Sequence, residues 1–382
     1  MTNKKRAFVI VLDSFGCGAM PDASFYGDEG SHTFRSIVEA KPTLSIPHLA
    51  ALGLGEAVGD MRYWQPHYFG SIAPKKLQEL SKGKDTTTGH WELMGLVLDE
   101  PFPLFPQGFP PEIIDEIEHY SGRTVVCNAP ASGTEIINRY GEEHLKNGCL
   151  IVYTSGDSVL QIAAHEDIVS VQELYDICQF TRDKVLVGTH AVGRVIARPF
   201  VGNAQDGFVR TSNRHDFGIK PGAPTVLDEL IDAGLEVTGI GKISDIFSGQ
   251  GVSRSEKTSS NTEGMEKTLR CAKEQSSGLI FTNLVDFDML WGHRRDALAY
   301  AEGIEQFDAW LGKFLPLLND EDLLVITADH GCDPCFKGTD HTREYVPALW
   351  YSPNEHCDFK IPSNTFSAVG MSVKEWLLNS NE

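Results

Sequence analysis

The sequence has 382 residues and a formal net charge of −20 at pH 7, from 33 basic and 53 acidic side chains. This negative charge disfavours nucleic acid and anionic membrane surfaces as partners. No segment approaches the roughly 18 consecutive apolar residues of a membrane-spanning helix. Because the chain is longer than one hydrophobic core usually serves, we expect a soluble protein of two domains.

The eight cysteines are mostly scattered and lack the spacing of a secreted disulfide framework. We therefore expect a cytoplasmic protein. The apolar run at residues 7–12 follows basic residues, but it is short and ends in Asp13, which indicates a first core strand rather than a signal peptide. Cys332 and Cys335 form a single CxxC pair without a second one, so we expect neither a zinc nor a redox role for it.

Apolar and amphipathic segments alternate along the two outer parts of the chain. In chain order they are a strand at 8–12, a helix near 46–52, segments at 226–233 and 236–240, a strand at 279–281, a long helix across 297–318 and a strand at 323–326. Such alternation is typical of an α/β fold with a mainly parallel sheet between helices.

Two proline-rich joints bound the middle of the chain. Residues 101–111 contain five prolines, and a second joint lies near 215–224. Because proline disrupts regular helices and central strands, both segments favour irregular connections. We expect a discontinuous core domain of residues 1–100 and 219–382, with an inserted cap domain of 101–218. The insert has strand candidates at 124–127, 150–154 and 194–197 with helical stretches around them, which predicts a smaller α/β cap.

Three of the apolar strands lead into potential metal ligands. These ligands are Asp13, then Asp288 and His293, then Asp329 and His330, with His341 further downstream. The carboxyl ends of parallel strands meet at one sheet edge, where α/β folds build their sites. Carboxylates mixed with imidazoles suit Mn²⁺ or Zn²⁺ better than Ca²⁺. Six ligands are too many for one tetrahedral site, so we expect two neighbouring ions, roughly 3.5–4 Å apart.

The segment Gly83-Lys84-Asp85-Thr86-Thr87-Thr88-Gly89-His90 is a polar turn that opens into a helical run. Its hydroxyls would lie at a helix N-terminus, where backbone N–H groups favour an anion. Taken alone, the threonines could simply cap the helix. Beside a metal cluster, however, a threonine hydroxyl could be deprotonated and act as a nucleophile.

Over nearly its whole length the chain resembles the phosphopentomutase family, within the alkaline phosphatase superfamily of metalloenzymes. The resemblance lies in LDSFGCGAMPDA at 12–23, GKDTTTGHWELMG at 83–95, PASGTEI at 130–136, VYTSGDSVLQIAAHE at 152–166, GRVIARPF at 193–200, NRHDFGIKP at 213–221, GIGKISDIF at 239–247, NLVDFDMLWGHRRD at 283–296, TADHG at 327–331 and GTDHTREYVP at 338–347. Several of these motifs are long and specific. The implied fold is an alkaline phosphatase-like α/β core with an inserted cap.

The resemblance also implies site residues and a reaction. One Mn²⁺ would be held by Asp13, Asp329 and His330, a second by Asp288, His293 and His341, with Thr86 as the catalytic residue. The implied substrate contacts are Ser155, Asp157, Val159, Arg194, Ile196, Arg210 and Lys242. The expected reaction interconverts ribose 1-phosphate and ribose 5-phosphate, and the 2-deoxyribose phosphates, through a phosphothreonine and a pentose 1,5-bisphosphate. A sugar bisphosphate such as glucose 1,6-bisphosphate would be the activator, and no oligomeric state is predicted.

Three departures from the usual family pattern leave the predicted ligands intact. Thr87 stands where a larger apolar residue is common, Cys332 follows the ADHG segment where Asn is frequent, and the C-terminus is expected to be short.

Three alternative functions remain. A phosphomonoesterase or nucleotide phosphodiesterase would use the same metals and release phosphate. A cofactor-independent phosphoglycerate mutase shares the superfamily core but normally uses a serine nucleophile. A metal-binding protein without activity would need no nucleophile.

Overall fold

The computed structural model of the chain describes residues 5–68, 70–155, 158–275, 277–354 and 360–379. In chain order the strands are β1 (Arg6–Leu12), β2 (Ser71–Leu77), β3 (Val125–Pro130), β4 (Leu150–Thr154), β5 (Val159–His165), β6 (Arg194–Asn203), β7 (Gly207–Arg210), β8 (His215–Gly218), β9 (Val237–Ile240), β10 (Arg254–Glu256), β11 (Gly278–Leu284), β12 (Asp322–Thr327) and β13 (Val346–Tyr351).

The α-helices complete the framework. They are α1 (Ala23–Tyr26), α2 (Thr33–Ala40), α3 (Pro47–Ala51), α4 (Leu54–Val58), α5 (Thr86–Leu93), α6 (Pro111–Ser121), α7 (Gly133–Asn147), α8 (Val171–Phe180), α9 (Val226–Asp232), α10 (Ile243–Ile246), α11 (Asn261–Glu274), α12 (Ala297–Phe314) and α13 (Ala368–Leu378). Among these described helices, none combines the length and apolar composition needed to cross a bilayer.

The chain divides into two compact units, of which the core unit contains Met1–Glu100 and Pro221–Glu382. Its seven-stranded sheet has the order β10-β9-β11-β1-β12-β13-β2. The five strands from β10 to β12 are parallel, whereas β13 and β2 are antiparallel to their neighbours. The predicted α/β class with a mainly parallel sheet is therefore confirmed.

The three central strands β11, β1 and β12 are buried along their whole length. Helix α13 contacts β1 and β12, and helix α11 contacts β11. A parallel strand that is covered on both faces consists mainly of consecutive apolar residues. The three strands could therefore be predicted from the sequence. Because the strands are parallel neighbours, their carboxyl ends place the residues that follow them at one edge of the sheet.

The inserted unit contains Pro101–Lys220. Its sheet has the order β3-β4-β5-β6-β7, with β8 paired to β6. One apolar cluster packs α6 and α8 against this sheet, and another packs α7 against Ile151, Tyr153 and Phe200. The inserted unit is thus an α/β body with its own hydrophobic core. That it acts as a cap stays a prediction.

The second joint is shorter than the sequence indicated. Residues His215–Gly218, which lie in the predicted irregular connection, form β8 and pair antiparallel with β6. Phe217 packs against the apolar core of the inserted unit, and its ring lies 6.0 Å from that of Tyr175. The packing of the half-buried Phe217 therefore extends the inserted unit into the segment where proline and glycine predicted an irregular connection.

His144, on α7, is a fully buried histidine of the inserted unit. Its Nδ1 donates to the carbonyl of Cys149, and its Nε2 accepts from the backbone N–H of His165 at 2.8 Å. Both ring nitrogens are thus used by a neutral imidazole. Burial lowers the pKa of His144 below its ordinary value, because the charged form would lose its water.

We expect the inserted unit to lose stability as pH falls below about 6.5, because the unfolded chain then binds a proton that folded His144 excludes. The contribution of neutral His144 to the free energy of unfolding is fully present above that pH. Below it, the loss approaches about 1.4 kcal/mol per pH unit, until the pH reaches the lowered pKa of His144 in the folded protein. Urea unfolding of the wild type, His144→Gln and the exposed-site control His119→Gln, compared at neutral and mildly acidic pH, measures the effect. A pH dependence that His144→Gln leaves unchanged would contradict this assignment.

Candidate metal centre

Two central strands deliver the first group of predicted ligands. Asp13 follows β1, and Asp329 and His330 follow β12. His330 Nε2 lies 3.4 Å from Asp13 Oδ1 and 3.3 Å from Asp329 Oδ2. All three side chains are almost completely buried, and their ligand atoms are close enough to share one metal ion. The structure thus brings together the residues predicted to bind the first ion.

A π-helical turn, Phe287–Gly292, positions the second group. In this turn the backbone N–H of His293 donates to the carbonyl of Asp288, five residues earlier. His293 Nε2 lies 3.3 Å from Asp288 Oδ2, and His341 Nε2 lies 3.4 Å from Asp288 Oδ1. Single π-turns recur at functional sites, and this one places two predicted ligands on one side of the turn. Asp288 also lies within metal-ligand range of His330, so the two groups adjoin.

Backbone carbonyls fix the orientation of the histidine rings. Nδ1 of His293 contacts the carbonyl of Thr339 at 2.6 Å, and Nδ1 of His341 contacts that of Lys84 at 3.0 Å. Because each Nδ1–H donates to a carbonyl, the two Nε2 atoms present lone pairs. These atoms face each other at 3.1 Å. Two facing lone pairs repel, and a cation bound by both removes the repulsion.

Three buried carboxylate oxygens in the cluster have histidine nitrogens at 3.0–3.4 Å but accept no well-formed hydrogen bond from the described residues, namely Asp13 Oδ1, Asp288 Oδ1 and Asp329 Oδ2. A buried polar atom without a partner is costly, and a buried carboxylate oxygen more so. Oxygen and imidazole donors converging in this way fit a divalent ion of the Mn²⁺ or Zn²⁺ type. The cluster is therefore a candidate metal centre, and the binding of two ions by the six predicted residues stays a prediction.

The charges of the cluster explain why a cation is needed. Burial, followed by repulsion from Asp329, raises the pKa of Asp13. Burial alone would lower the pKa of His330, but Asp329 and Asp13 raise it well above its ordinary value. The carboxylates thus draw a proton onto an imidazole. A divalent ion supplies the same positive charge and releases that proton, so metal affinity should rise with pH.

Thr86 is the first residue of α5, and its Oγ1 lies 3.1 Å from His330 Nε2. The structure therefore places the predicted nucleophile against the ligand cluster. The start of the helix differs from the expectation that its N–H groups would hold an anion. Asp85 is the N-cap, and its side chain already accepts from the backbone N–H groups of Thr87 and Thr88. The threonines do not cap the helix themselves.

His90 and Asn283 are buried residues of the centre that the sequence analysis missed. Nδ1 of His90 lies 2.9 Å from the carbonyl of Thr86 and 3.0 Å from Asp329 Oδ2. Nδ2 of Asn283 donates to Asp13 Oδ2 at 2.7 Å. His90 could have been found from its spacing, since residues four apart share a helix face. Asn283 carried no such signal, because it lies within an apolar strand.

Cys332 lies beside the second ligand group. Its Sγ is 4.0 Å from His293 Nδ1 and 3.7 Å from the carbonyl of Asp340. Burial raises the pKa of the Cys332 thiol, which disfavours the thiolate that metals bind. Cys335 is exposed. Cys332 Sγ nevertheless lies within metal-ligand range of Asp288 and His293, so the absence of a zinc role for the CxxC pair stays a prediction.

The predicted substrate contacts are spread over several elements. In the inserted unit, Ser155 follows β4, Val159 on β5 pairs with Arg194 on β6, and Ile196 is two residues further along β6. Arg210, on β7, donates to Thr134 Oγ1 at 2.7 Å. Lys242 is the N-cap of α10 in the core unit. Asp157 lies outside the described residues. Val159, Arg194 and Ile196 thus form one group, and Arg210 lies near the opposite end of β6.

The fold and the ligand cluster define a metalloenzyme. A family model described as Metalloenzyme superfamily matches residues 5–377. The phosphopentomutase of Caldanaerobacter subterraneus subsp. tengcongensis is 53% identical to this chain over 350 residues, which cover 92% of this chain and 88% of that protein. The chain accordingly belongs to the phosphopentomutase family of the Metalloenzyme superfamily. The predicted resemblance and the predicted enzyme class, an isomerase, are confirmed.

Two solved structures that match this chain show much lower identity. The PH0037 protein of Pyrococcus horikoshii has a TM-score of 0.48 and 13% identity, with coverage of 100% of this chain and 99% of that one. The phosphoglycerate mutase of Leishmania mexicana has a TM-score of 0.48 and 12% identity, with coverage of 98% and 95%.

Proposed function

We propose that this chain interconverts ribose 1-phosphate and ribose 5-phosphate, and the corresponding 2-deoxyribose phosphates, with Thr86 as the group that carries the phosphate. The observation that carries this proposal is the 3.1 Å contact between Thr86 Oγ1 and His330 Nε2, inside a cluster of six predicted metal ligands. Membership of the phosphopentomutase family supports the substrate class.

The residues around Thr86 hold its hydroxyl in place for phosphoryl transfer. Asp85 caps α5 and so fixes the backbone at Thr86, while His90 binds the Thr86 carbonyl. In the reaction, the bond between Thr86 Oγ1 and phosphorus breaks as a bond forms from phosphorus to the free hydroxyl of the pentose phosphate. The resulting 1,5-bisphosphate turns and returns its other phosphate to Thr86. Two divalent ions, which we propose to be Mn²⁺, would lower the hydroxyl pKa and neutralise phosphate charge.

The remaining assignments rest on the same resemblance. We propose that Ser155, Asp157, Val159, Arg194, Ile196, Arg210 and Lys242 bind the pentose phosphate. A sugar bisphosphate such as glucose 1,6-bisphosphate would phosphorylate Thr86 and so activate the enzyme. We also propose a cytoplasmic location, supported by the seven free cysteines among the described residues.

A coupled assay tests this function. Purified protein is incubated with ribose 5-phosphate, Mn²⁺ and a trace of glucose 1,6-bisphosphate, and ribose 1-phosphate and free phosphate are measured together. We expect ribose 1-phosphate to form without matching phosphate release. Release of one phosphate per substrate, with no ribose 1-phosphate, would instead assign the chain to the phosphatases.

A further inference from the structure

Arg343, two residues after the predicted ligand His341, is a buried arginine, 2% exposed. Its guanidinium donates to the backbone carbonyl of Gly83 at 2.6 Å and to that of Glu79 at 3.0 Å. The same group forms ion pairs with the carboxylates of Glu79 at 2.5 Å and Asp22 at 2.9 Å. Arg343 therefore ties the segment that follows one metal ligand to the backbone just before Thr86.

A second connection joins the same two segments. The backbone carbonyl of Lys84 contacts Nδ1 of His341 at 3.0 Å. The Lys84 ammonium lies 3.0 Å from the Asp28 carboxylate and 3.2 Å from that of Asp340. Two successive backbone carbonyls just before Thr86, at Gly83 and Lys84, thus contact the side chains of Arg343 and His341, which are two positions apart. Residues 83–85, here called the nucleophile loop, are therefore held in position by the segment that carries His341.

The cost of this arrangement argues for a role beyond stability. Glu79 is 3% exposed, and burial raises its pKa although Arg343 acts in the opposite direction. A buried ion pair is weak evidence for stability, since apolar residues of similar volume often stabilise a fold equally well. A planar guanidinium, in contrast, fixes several acceptors in one geometry, which neither an apolar residue nor a lysine can do.

We propose that Arg343 is a positioning residue for phosphoryl transfer, which holds the loop of residues 83–85 so that the Thr86 hydroxyl stays against the metal ligands. The inference rests on the proposed function, because it takes Thr86 as the nucleophile. Among the described residues, the hydrogen bonds and ion pairs of the Arg343 guanidinium go to Asp22, Glu79 and Gly83, and neither to Thr86 nor to the predicted metal ligands. Its loss should therefore slow the chemical step more than it weakens substrate binding.

The chain offers a matched control in Arg6. Arg6 is 8% exposed, pairs with both oxygens of Asp322 at 2.7 Å, and donates to the backbone carbonyls of Ala272 and Gln275. It lies at the start of β1, at the opposite end of the strand from Asp13. Its environment resembles that of Arg343 in charge, burial and carbonyl contacts, without a connection to the nucleophile loop.

The test compares Arg343→Met with Arg6→Met in the full-length, Mn²⁺-loaded protein, below the melting temperature of both variants. We expect Arg343→Met to lower kcat about 100-fold with KM within about threefold of wild type, since small misplacements have large effects on rate. Arg6→Met should keep kcat within about twofold of wild type. If the single variant Arg343→Met unfolds, the double variant Glu79→Leu/Arg343→Met replaces it in the comparison, because it removes both buried charges. The double variant should be more stable than Arg343→Met, while its kcat stays low.

Hydrogen exchange supplies a readout that does not depend on activity. The amides of residues 83–88 should exchange at least about tenfold faster in Arg343→Met than in wild type. Their exchange rates should be unchanged in Arg6→Met. Equal losses of kcat in the two arginine variants, or wild-type exchange in Arg343→Met, would overturn the inference. A wild-type protein that forms no ribose 1-phosphate would refute the proposed function, and the exchange comparison would still decide whether Arg343 holds the loop.

Discussion

Replacing Thr86 with alanine should abolish interconversion of the pentose phosphates, with a loss in kcat of about four orders of magnitude or more, as expected when a nucleophile is removed. The hydroxyl lies against His330 in the ligand cluster, and the described structure places no other threonine hydroxyl in contact with that ring. Ribose 1-phosphate formation and phosphorylation of the intact protein by glucose 1,6-bisphosphate, followed by mass spectrometry, would be measured together. The variant should show neither.

Thr87→Ala is the matched control for this experiment. Thr87 is the adjacent residue on α5 and is half-buried like Thr86, and its backbone N–H, which donates to Asp85, is kept in the variant. We expect kcat within about threefold of wild type. Loss of activity in Thr87→Ala with activity retained in Thr86→Ala would move the nucleophile by one position. That result would overturn the assignment of Thr86 as the catalytic residue.

Asp13→Asn should have opposite effects on the stability of the metal-free protein and on activity. Burial and repulsion from Asp329 raise the pKa of Asp13, so its charge is unfavourable when no cation is bound. An asparagine keeps an acceptor for Asn283. With the Asp13 charge removed, the pKa of His330 falls, and its neutral Nε2, which lies 3.4 Å from Asp13 Oδ1, can accept from the asparagine amide. The metal-stripped variant should melt higher than stripped wild type, since about 1 kcal/mol shifts Tm by roughly 2–4 °C in units of this size.

The same variant should bind less metal and lose nearly all activity. We expect metal content, measured by mass spectrometry after dialysis, to fall by at least one ion per chain, and kcat to fall by about 1,000-fold or more. Asp308→Asn is the control, because Asp308 is equally buried but accepts from the backbone N–H groups of His48 and Leu49, away from the cluster. It should lower the Tm and leave metal content unchanged. An Asp13→Asn protein that is less stable without metal would contradict the argument.

The sequence was informative wherever a ligand directly followed a buried strand. Asp13, Asp329 and His330 are visible because β1 and β12 are continuous apolar runs that end abruptly in charged residues. Parallel pairing then requires these ends to meet. The pairing of β11 with β1 brings Asp288 to the same edge, although the exact position of Asp288 depends on a π-turn that no periodicity predicts.

Residues that act through tertiary contacts were not predictable in the same way. The role of Asn283 depends on its neighbour across the sheet, Asp13, which lies 270 positions away in sequence. Arg343 follows a predicted ligand, yet its partners Glu79 and Gly83 belong to a distant segment. Similarly, β8 was not predicted, because the nearby prolines and glycines indicated an irregular connection and the only contrary signal was the half-buried Phe217. In each case the role of the residue depends on a contact with a distant segment, and local sequence patterns do not show which distant segments meet in the fold.

The central position of β1 has a consequence for how the chain is made. Arg6 at its start pairs with Gly278 and Asp322, so β1 is synthesised well before its partners, which follow about 270 and 316 positions later. At roughly 5–20 residues per second, the second partner follows after about 15–60 s. The strands of the inserted unit all lie within residues 101–220, so its sheet can form during that interval. The nascent core unit thus exposes an unpaired apolar strand for most of synthesis, which makes chaperone dependence and aggregation the expected hazards of producing this protein.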